Sequence, residues 1–438
     1  MNPADGAVPP VAKRRAWRGW CSYDWANSAF ATVGLAAVLP VYFVSLVPQG
    51  GLHLPLPGVD LTLKAASLWG YTISISAILV AAMAPWLGAL ADARGWRRPL
   101  LMLFCLIGAA GTSLLALAGP GQFLLAAFFF TLANIGFAGG NIFYNAFLPV
   151  IAEPHEVDRL SARGFAWGYL GGGICLALVF VMIQYYPWFG FADPGSATRA
   201  GFLLTGLWWL LFSLPTFLWV KDREPRSGNA PRKIHNYLQT FLEIRPYRDL
   251  LRFLIAFLLY HDGIETIIVV SAVFGREELG MSQGAILGCF LMIQIIAMPG
   301  SLLFGRIAER WNAKAAILLC LALFILLTVY AFFMRHAWEF WLLGLVVALI
   351  LGGSQAISRS LFASMIPAHK EAEFFGFYAI GAKFATIFGP LLFALIGSFT
   401  GSTRLSILGL LFFFVAGGLL LLTVDVDRGR RLAGKGSP

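Results

Sequence analysis

Apolar stretches long enough to cross a lipid bilayer recur along nearly the whole chain. A membrane-spanning helix needs about 20 consecutive, mostly apolar residues. Twelve stretches meet this requirement, at 20–47, 67–91, 99–118, 122–148, 164–186, 200–220, 250–274, 283–305, 313–334, 339–363, 374–398 and 404–424. We therefore predict an all-α polytopic membrane protein with twelve transmembrane helices.

The composition agrees with a membrane location. Of 438 residues, 59% are hydrophobic and 12% are charged, whereas about 25% of the residues of a typical soluble domain are charged. So few charges could not cover the surface of a water-soluble protein of this length. The five cysteines are odd in number and stand in apolar runs, which argues against a secreted disulfide scaffold.

The basic residues predict the orientation of the helices. The chain has 32 lysines and arginines and a formal net charge of +10. If the N-terminus is cytoplasmic, 24 of them fall in cytoplasmic segments and five in outer loops, while Arg252, Arg359 and Lys383 lie within predicted helices. The positive-inside rule then places both termini in the cytoplasm. The charge therefore indicates topology, and we expect no nucleic-acid partner.

One long polar connection separates two sets of six predicted helices. We predict an N-terminal six-helix bundle at 1–220, a cytoplasmic linker at 221–249 and a C-terminal six-helix bundle at 250–438. Within the linker, apolar residues recur at helical spacing at Ile234, Tyr237, Leu238, Phe241 and Leu242. This pattern is typical of an amphipathic helix on the inner membrane surface, and a partly ordered tether is the alternative.

The two halves of the chain repeat one another. Three pairs of segments correspond in order: 24–28 with 262–266, 88–98 with 305–314, and 139–141 with 352–354. The alternative is that such matches arise by chance in a polytopic chain. Parallel repeats of this kind are related by an axis along the membrane normal, and transporters built from them hold substrate between the halves near the midplane. We expect two six-helix pseudo-repeats with a site between them.

Twelve helices in two halves with a long cytoplasmic linker resemble the major facilitator superfamily. The segment GALADARGWRR at 88–98 is similar to that superfamily's loop motif between helices 2 and 3, although Ala93 and Trp96 stand where basic residues are common. The resemblance and the charges indicate a cytoplasmic gate closed by ion pairs. Its residues would be Gly88, Asp92, Arg94, Gly95, Arg97 and Arg98, with Glu309 and Arg310 as a second-half counterpart. Alternatively, Arg97 and Arg98 contact only anionic lipid headgroups.

Six further blocks carry a narrower resemblance. They are YDWANSAF at 23–30, FYNAFLP at 143–149, GYLGG at 168–172, YHDG at 260–263, SQAISRSLF at 354–362 and EFFGFY at 373–378. Together they resemble the autophagy-related vacuolar amino-acid effluxer family and its bacterial relatives. The resemblance implies export of small solutes, which are amino acids in the fungal members.

Charged residues at depth in the predicted helices are candidates for proton coupling. An ionised group there costs at least about 2.5–3.5 kcal/mol, so it needs a partner or a function. Asp262 and Glu265 lie one turn apart near the midplane, and two close carboxylates disfavour each other's ionised form. We predict that they form a protonation switch, with Lys383 as a partner. A permanent salt bridge that only stabilises the bundle is the alternative.

Asp24 is the first-half counterpart of Asp262, and we group it with the proton-coupling candidates. It lies in the cytoplasmic third of the first predicted helix. There it either anchors the start of the helix by complementing the helix dipole or takes part in an inner gate with Asn27.

Amides and one arginine form the candidate substrate site. Asn134, Asn141 and Asn145 share one face of the fourth predicted helix, and amides facing lipid would be costly. Gln355 and Arg359 are the counterpart on the tenth, and Asn27 completes the set. Arg359 has two possible roles. It extends to the membrane surface, or it acts within the protein by binding a substrate carboxylate or closing a gate.

We therefore predict a secondary active transporter that exports small solutes such as amino acids by proton-coupled alternating access. We expect no enzymatic activity, cofactor or metal site, since no nucleophile, phosphate-binding loop or ligand cluster is present in the sequence. The expected partners are a small-molecule substrate, protons or another ion, and membrane lipids. We expect a monomer in the plasma membrane, which is the inner membrane of a bacterium. The alternatives are an exporter of amphiphiles such as drugs or lysolipids, and a receptor or scaffold that does not transport.

Overall fold

Residues 10–48, 51–56, 59–63, 65–222, 246–384 and 388–434 are described in a computed structural model of the chain. Most of them are helical. The α-helices are α1 (Pro10–Ala29), α2 (Leu39–Leu46), α3 (Ala65–Arg94), α4 (Arg97–Leu114), α5 (Phe123–Ile151), α6 (Val157–Gln184), α7 (Pro194–Trp219), α8 (Arg248–Glu277), α9 (Gln283–Arg310), α10 (Ala313–Phe333), α11 (Ala337–Met365), α12 (Glu371–Phe384), α13 (Phe388–Thr400), α14 (Thr403–Gly409), α15 (Leu411–Leu422) and α16 (Val426–Leu432). The described residues also form a π-helix at Phe30–Ala37 and 3₁₀ helices at Leu115–Leu117 and Tyr186–Phe189.

Ten helices in the described ranges are long and apolar enough to cross a membrane. An eleventh crossing results if Val11–Ala37 and Leu39–Leu46, which meet at a bend of 47°, are counted together. Pro40 stands in the first turn after the bend, where its missing amide is tolerated. The predicted crossing at 374–398 is covered by α12 and α13, with 385–387 outside the described residues. The all-α polytopic fold is confirmed, whereas the count of twelve helices is not.

A small β-hairpin lies in the connection after the first crossing. Strands β1 (Leu52–Leu56) and β2 (Val59–Leu63) are antiparallel, with Leu52 opposite Leu63 and Leu56 opposite Val59. Apolar residues alternate with other residues in both strands, which is the period of a half-buried strand. The hairpin is therefore a local addition to a helical architecture.

The contacts divide the chain into two compact units. One consists of the described residues of Met1–Met83, Arg97–Tyr144 and Leu170–Asp222. In it α1 and α4 both pack on α7. Fully buried aromatic side chains fill its interior, with Phe30 stacked on Trp209 at 5.7 Å between ring centroids.

The other unit consists of the described residues of Ala84–Trp96, Asn145–Tyr169 and Arg223–Pro438. Here α9 packs along α11, and α15 packs on α8. Small buried residues such as Ala297 and Ala348 suit the close approach of helices in a membrane. The assignment of 1–220 and 250–438 to two bundles stays a prediction. The predicted amphipathic helix of the linker falls on residues outside the described part of the chain.

Candidate functional site

Asp262 lies in the middle of α8 and is completely buried. The backbone amide of Gly389 donates to its two carboxylate oxygens, each at 2.9 Å. Gly389 belongs to the first turn of α13. First-turn amides lack partners within their own helix and stand at the positive end of its dipole, so they stabilise a negative charge. The carboxylate that the sequence marks as a proton site therefore contacts the start of a neighbouring helix.

Glu265 has a different neighbour from Asp262. Its Oε1 lies 3.7 Å from Nε2 of His261, one turn earlier on α8, and both side chains are partly buried. The predicted third member, Lys383, belongs to α12, and its side chain is outside the described part of the structure. The protonation switch of Asp262, Glu265 and Lys383 therefore stays a prediction.

Arg359 is buried in α11 with only 4% of its surface exposed. It donates from Nε to Ser161 Oγ at 2.9 Å, from one terminal nitrogen to the Ser161 carbonyl oxygen at 2.9 Å, and from the other to Asn145 Oδ1 at 3.3 Å. Its guanidinium also lies 4.2 Å from the ring centroid of Phe165. Because charge-assisted bonds of this kind are the strong ones, Arg359 holds α11 to the segment 145–165.

The bonds of Arg359 belong to a longer row of polar contacts, which we call the α6–α11 contact. Its members are Asp158, Ser161 and Tyr169 on α6, and Gln355, Ala356, Arg359 and Ser360 on α11. Ser360 Oγ donates to Asp158 Oδ1 at 2.5 Å, Ser161 Oγ to the Ala356 carbonyl at 2.6 Å, and the Tyr169 hydroxyl to Gln355 Oε1 at 2.7 Å.

The α6 side of this contact is absent from the residues predicted from the sequence. Asp158, Ser161 and Tyr169 recur at steps of three and eight residues, together with Phe165. These steps place them on one helix face. This stripe of mostly polar residues could have indicated from the sequence that this face of α6 contacts another helix. It does not indicate that the other helix is α11.

The predicted gate motif contacts the start of α12. Asp92, near the end of α3, accepts hydrogen bonds from the Ala372 amide at 3.2 Å and the Glu373 amide at 2.9 Å. A Cβ atom on Gly88 would overlap the Ala372 carbonyl oxygen, so a glycine is needed for this approach. Gly95 has a φ of +67° and forms the turn from α3 to α4, a conformation that glycine adopts without strain.

The arginines of the motif have several kinds of neighbour. Arg94 lies over the Trp96 ring, 4.7 Å from its centroid, and Arg97 is buried. The Arg98 amide donates to both carboxylate oxygens of Asp222, at 3.1 and 3.3 Å, and its guanidinium donates to the Phe217 carbonyl. Burial raises the pKa of Asp222, and the Arg98 amide opposes that rise. The ion-pair latch stays a prediction.

The second-half counterpart of the motif has one described ion pair. Glu309 Oε1 lies 3.7 Å from Nε of Arg159, near the start of α6, and both side chains are partly exposed. Arg310 is exposed at the end of α9. The pair joins α9 to α6 close to the α6–α11 contact, because Arg159 follows Asp158.

The remaining polar candidates are bonded within the other unit. The Tyr144 hydroxyl donates to Asp24 Oδ2 at 2.6 Å. Asn27 donates from Nδ2 to Asn141 Oδ1 at 2.7 Å, and Asn134 donates to Ser76 Oγ at 2.7 Å. The predicted asparagine stripe thus has partners on α1 and α3, while Asn145 contacts Arg359. Whether these side chains bind substrate stays a prediction.

Comparison with known proteins gives one family and several relatives. The family model described as "Vacuole effluxer Atg22 like" matches residues 12–434. The uncharacterized MFS-type transporter YxiO of Bacillus subtilis is 34% identical over 416 residues, which cover 93% of this chain and 94% of the relative. Autophagy-related protein 22-1 of Penicillium rubens is 24% identical over 555 residues, covering 98% and 92%.

Solved structures agree in fold. The human organic anion transporter MFSD10 superposes with a TM-score of 0.71 at 16% identity, over 94% of this chain and 100% of that chain. At this identity the likeness concerns the fold alone, which is that of the major facilitator superfamily.

Proposed function

Because the chain belongs to the Atg22-like branch of the major facilitator superfamily and is a membrane transporter of that type, we propose that it exports small solutes, such as amino acids, in exchange for protons. Transport proceeds by alternating access. The protein lies in the plasma membrane with both termini in the cytoplasm, as the distribution of its basic residues supports. It acts as a monomer and carries out no covalent chemistry.

The observation that carries this proposal is the burial of ionisable side chains within membrane-spanning helices. Asp262 is fully buried and Arg359 nearly so, and each is bonded to a different helix. A scaffold has no need of charges that cost several kcal/mol to insert. A proton-coupled transporter needs a carboxylate whose partner changes with its charge, and Asp262, which is bonded to the Gly389 amide, is the proposed one.

The α6–α11 contact and the Asp92 contact with α12 form the proposed cytoplasmic gate. Both lie at the ends of α3, α6 and α11 that the basic residues assign to the cytoplasm. Each depends on hydrogen bonds between helices, which form and break at small net cost. Rocking of the two halves would break them together and open the cytoplasmic side.

Arg359 is the proposed site for the carboxylate of the substrate. Its guanidinium now bonds Ser161 and Asn145. When α6 moves away from α11, these donors become available in the planar fork that binds carboxylates in a bidentate manner. The same side chain would then close the gate without substrate and bind substrate once the gate is open. The name of the family, a vacuole effluxer, supports export as the direction.

Flux into proteoliposomes under an imposed pH gradient tests the proposal. The purified protein is assayed with a panel of radiolabelled amino acids and amphiphiles. We expect flux of at least one amino acid that depends on the gradient. Asp262→Asn should abolish the dependence on the gradient. Arg359→Lys should lower the flux about tenfold or more, because a charge-assisted hydrogen bond contributes about 1.5–3 kcal/mol.

Arg276→Lys is the matched control, since Arg276 is exposed, and it should transport like the wild type. Flux of amphiphiles alone would contradict the amino-acid substrate. Flux that is indifferent to the gradient would contradict proton coupling. No flux for any compound would favour a receptor.

A further inference from the structure

The first turn of α13 lies so close to Asp262 that no space is left for a side chain at position 389. A Cβ atom on Gly389 would overlap Thr266 Oγ1 and lie 2.8 Å from Asp262 Oδ1. A carbon atom does not approach non-bonded oxygen atoms so closely unless the neighbouring side chains or the helix itself are displaced. Glycine at 389 is therefore a condition for the hydrogen bonds from its amide to the Asp262 carboxylate.

Thr266 forms the other wall of this contact. It is fully buried one turn after Asp262, and its hydroxyl donates to the Asp262 carbonyl oxygen at 2.6 Å. This bond within α8 fixes the Thr266 side chain. Asp262 and Thr266 together form a recess on α8 that accepts the backbone of Gly389.

The charges around the recess come from few side chains. On α8, Glu265 is three residues from Asp262 and is itself next to His261. The first turn of α13, FGPL, has no ionisable side chain. From α15, Phe413 and Phe414 face the neighbouring residue Gly263. On α12, the side chain of Lys383 is outside the described residues. Among the described groups, the Gly389 amide is thus a donor that meets the Asp262 charge.

We propose that Gly389 and Thr266 are positioning residues that make α13 respond to the charge of Asp262. While Asp262 is ionised, its carboxylate holds the first turn of α13 in the recess. Protonation removes the charge that attracts the helix dipole and replaces one acceptor oxygen by a hydroxyl, and α13 then separates from α8. This inference rests on the proposed proton coupling and adds the element that moves.

Distance measurement between spin labels on α8 and α13 tests this response without a substrate. Val269→Cys and Phe399→Cys supply exposed labelling positions, and the five native cysteines are buried. The purified full chain in lipid nanodiscs is measured by pulsed electron resonance from pH 5 to pH 9, a range chosen to span carboxylate and histidine titration. We expect the distance distribution to shift between two populations as the pH changes.

Gly389→Ala in this labelled protein should remove the shift, because the added methyl group keeps α13 out of the recess at every pH. Gly381→Ala is the matched control on α12, since an added Cβ there meets nothing within 4 Å, and it should keep the shift. Asp262→Asn should show the low-pH population at every pH. If Gly389→Ala does not fold, this second variant still tests the inference.

The outcomes separate this inference from the proposed transport function. A wild-type distribution that does not change with pH would overturn the inference, as would a normal shift in Gly389→Ala. Because no substrate is present, a failure to find flux in proteoliposomes leaves this measurement interpretable. Conversely, proton-coupled flux without any movement of α13 would overturn only the role of α13.

Discussion

At the scale of single residues, carboxylates from two different helices contact the starts of α12 and α13. Asp92 accepts from the Ala372 and Glu373 amides, and Asp262 accepts from the Gly389 amide. A carboxylate suits such a position because first-turn amides have no partner within their helix. In both contacts a glycine removes the side chain that would separate the groups. The acid and its glycine therefore act as a pair, and neither explains the contact alone.

Gly88→Ala is expected to lower the thermal stability of the purified protein. The methyl group would overlap the Ala372 carbonyl oxygen, and overpacking of this kind costs about 1–3 kcal/mol. Gly70→Ala in the same helix is the matched control, because nothing lies within 4 Å of an added Cβ there. That variant should unfold at or slightly above the wild-type temperature, since alanine favours a helix more than glycine does. Equal unfolding temperatures for the two variants would argue against the close approach of α3 to α12.

At the scale of elements, the length of apolar runs predicts most crossings, but it does not predict which helices contact one another. α1 begins at Pro10, ten residues before the predicted crossing, because the basic turns preceding the apolar run continue the same helix. Asn134 and Asn145 share a predicted face, yet their partners are Ser76 and Arg359, on distant segments of the chain. The partner of Asp262 is a backbone amide. Because every residue except proline carries one, the sequence does not indicate which amide will be the partner.

α16, the last of the described helices, is attached to the start of α8 by a buried carboxylate. Asp249 is completely buried and accepts from Nε and a terminal nitrogen of Arg428, at 2.5 and 2.7 Å, and from the Asp425 amide at 3.1 Å. The hydrogen bonds and charge of Asp249 raise the pKa of the Arg428 guanidinium. α16 also contacts the end of α11, where Arg430 Nε lies 3.4 Å from Ser364 Oγ. The C-terminal segment thus joins two helices of one unit.

Arg428→Gln should loosen this attachment and lower the unfolding temperature by a few degrees, because it leaves a buried carboxylate with fewer donors. Limited proteolysis should also remove the residues after 424 faster than in the wild type. Arg431→Gln changes the charge equally at an exposed position of the same helix and should behave like the wild type. If both variants are cleaved at the same rate, net charge and not the Asp249 bond governs the attachment.

At the scale of the whole molecule, the polar side chains that lipid would exclude are concentrated in a few interhelical contacts. The basic residues predict an orientation and the apolar runs predict the crossings, and both are properties of the sequence. The α6 residues of the proposed gate are identified only by their contacts. Asp158 and Ser161 became candidates because they contact Ser360, Ala356 and Arg359.

Joining α6 to α11 covalently should stop transport if the α6–α11 contact opens in every cycle. Ser161→Cys and Ala356→Cys place thiols on two residues that the bond from the Ser161 hydroxyl to the Ala356 carbonyl oxygen, 2.6 Å long, brings together. A disulfide needs Cα atoms about 4.4–6.8 Å apart, and its formation on oxidation is verified by mass spectrometry before flux is measured. Flux in proteoliposomes should then be lost and should return on reduction. Each single cysteine variant should have the same flux before and after oxidation. Unchanged flux in the fully cross-linked protein would show that α6 and α11 stay together throughout the cycle. The hydrogen-bond donors of Arg359 would then never be released to a substrate, and Arg359 would be a structural residue.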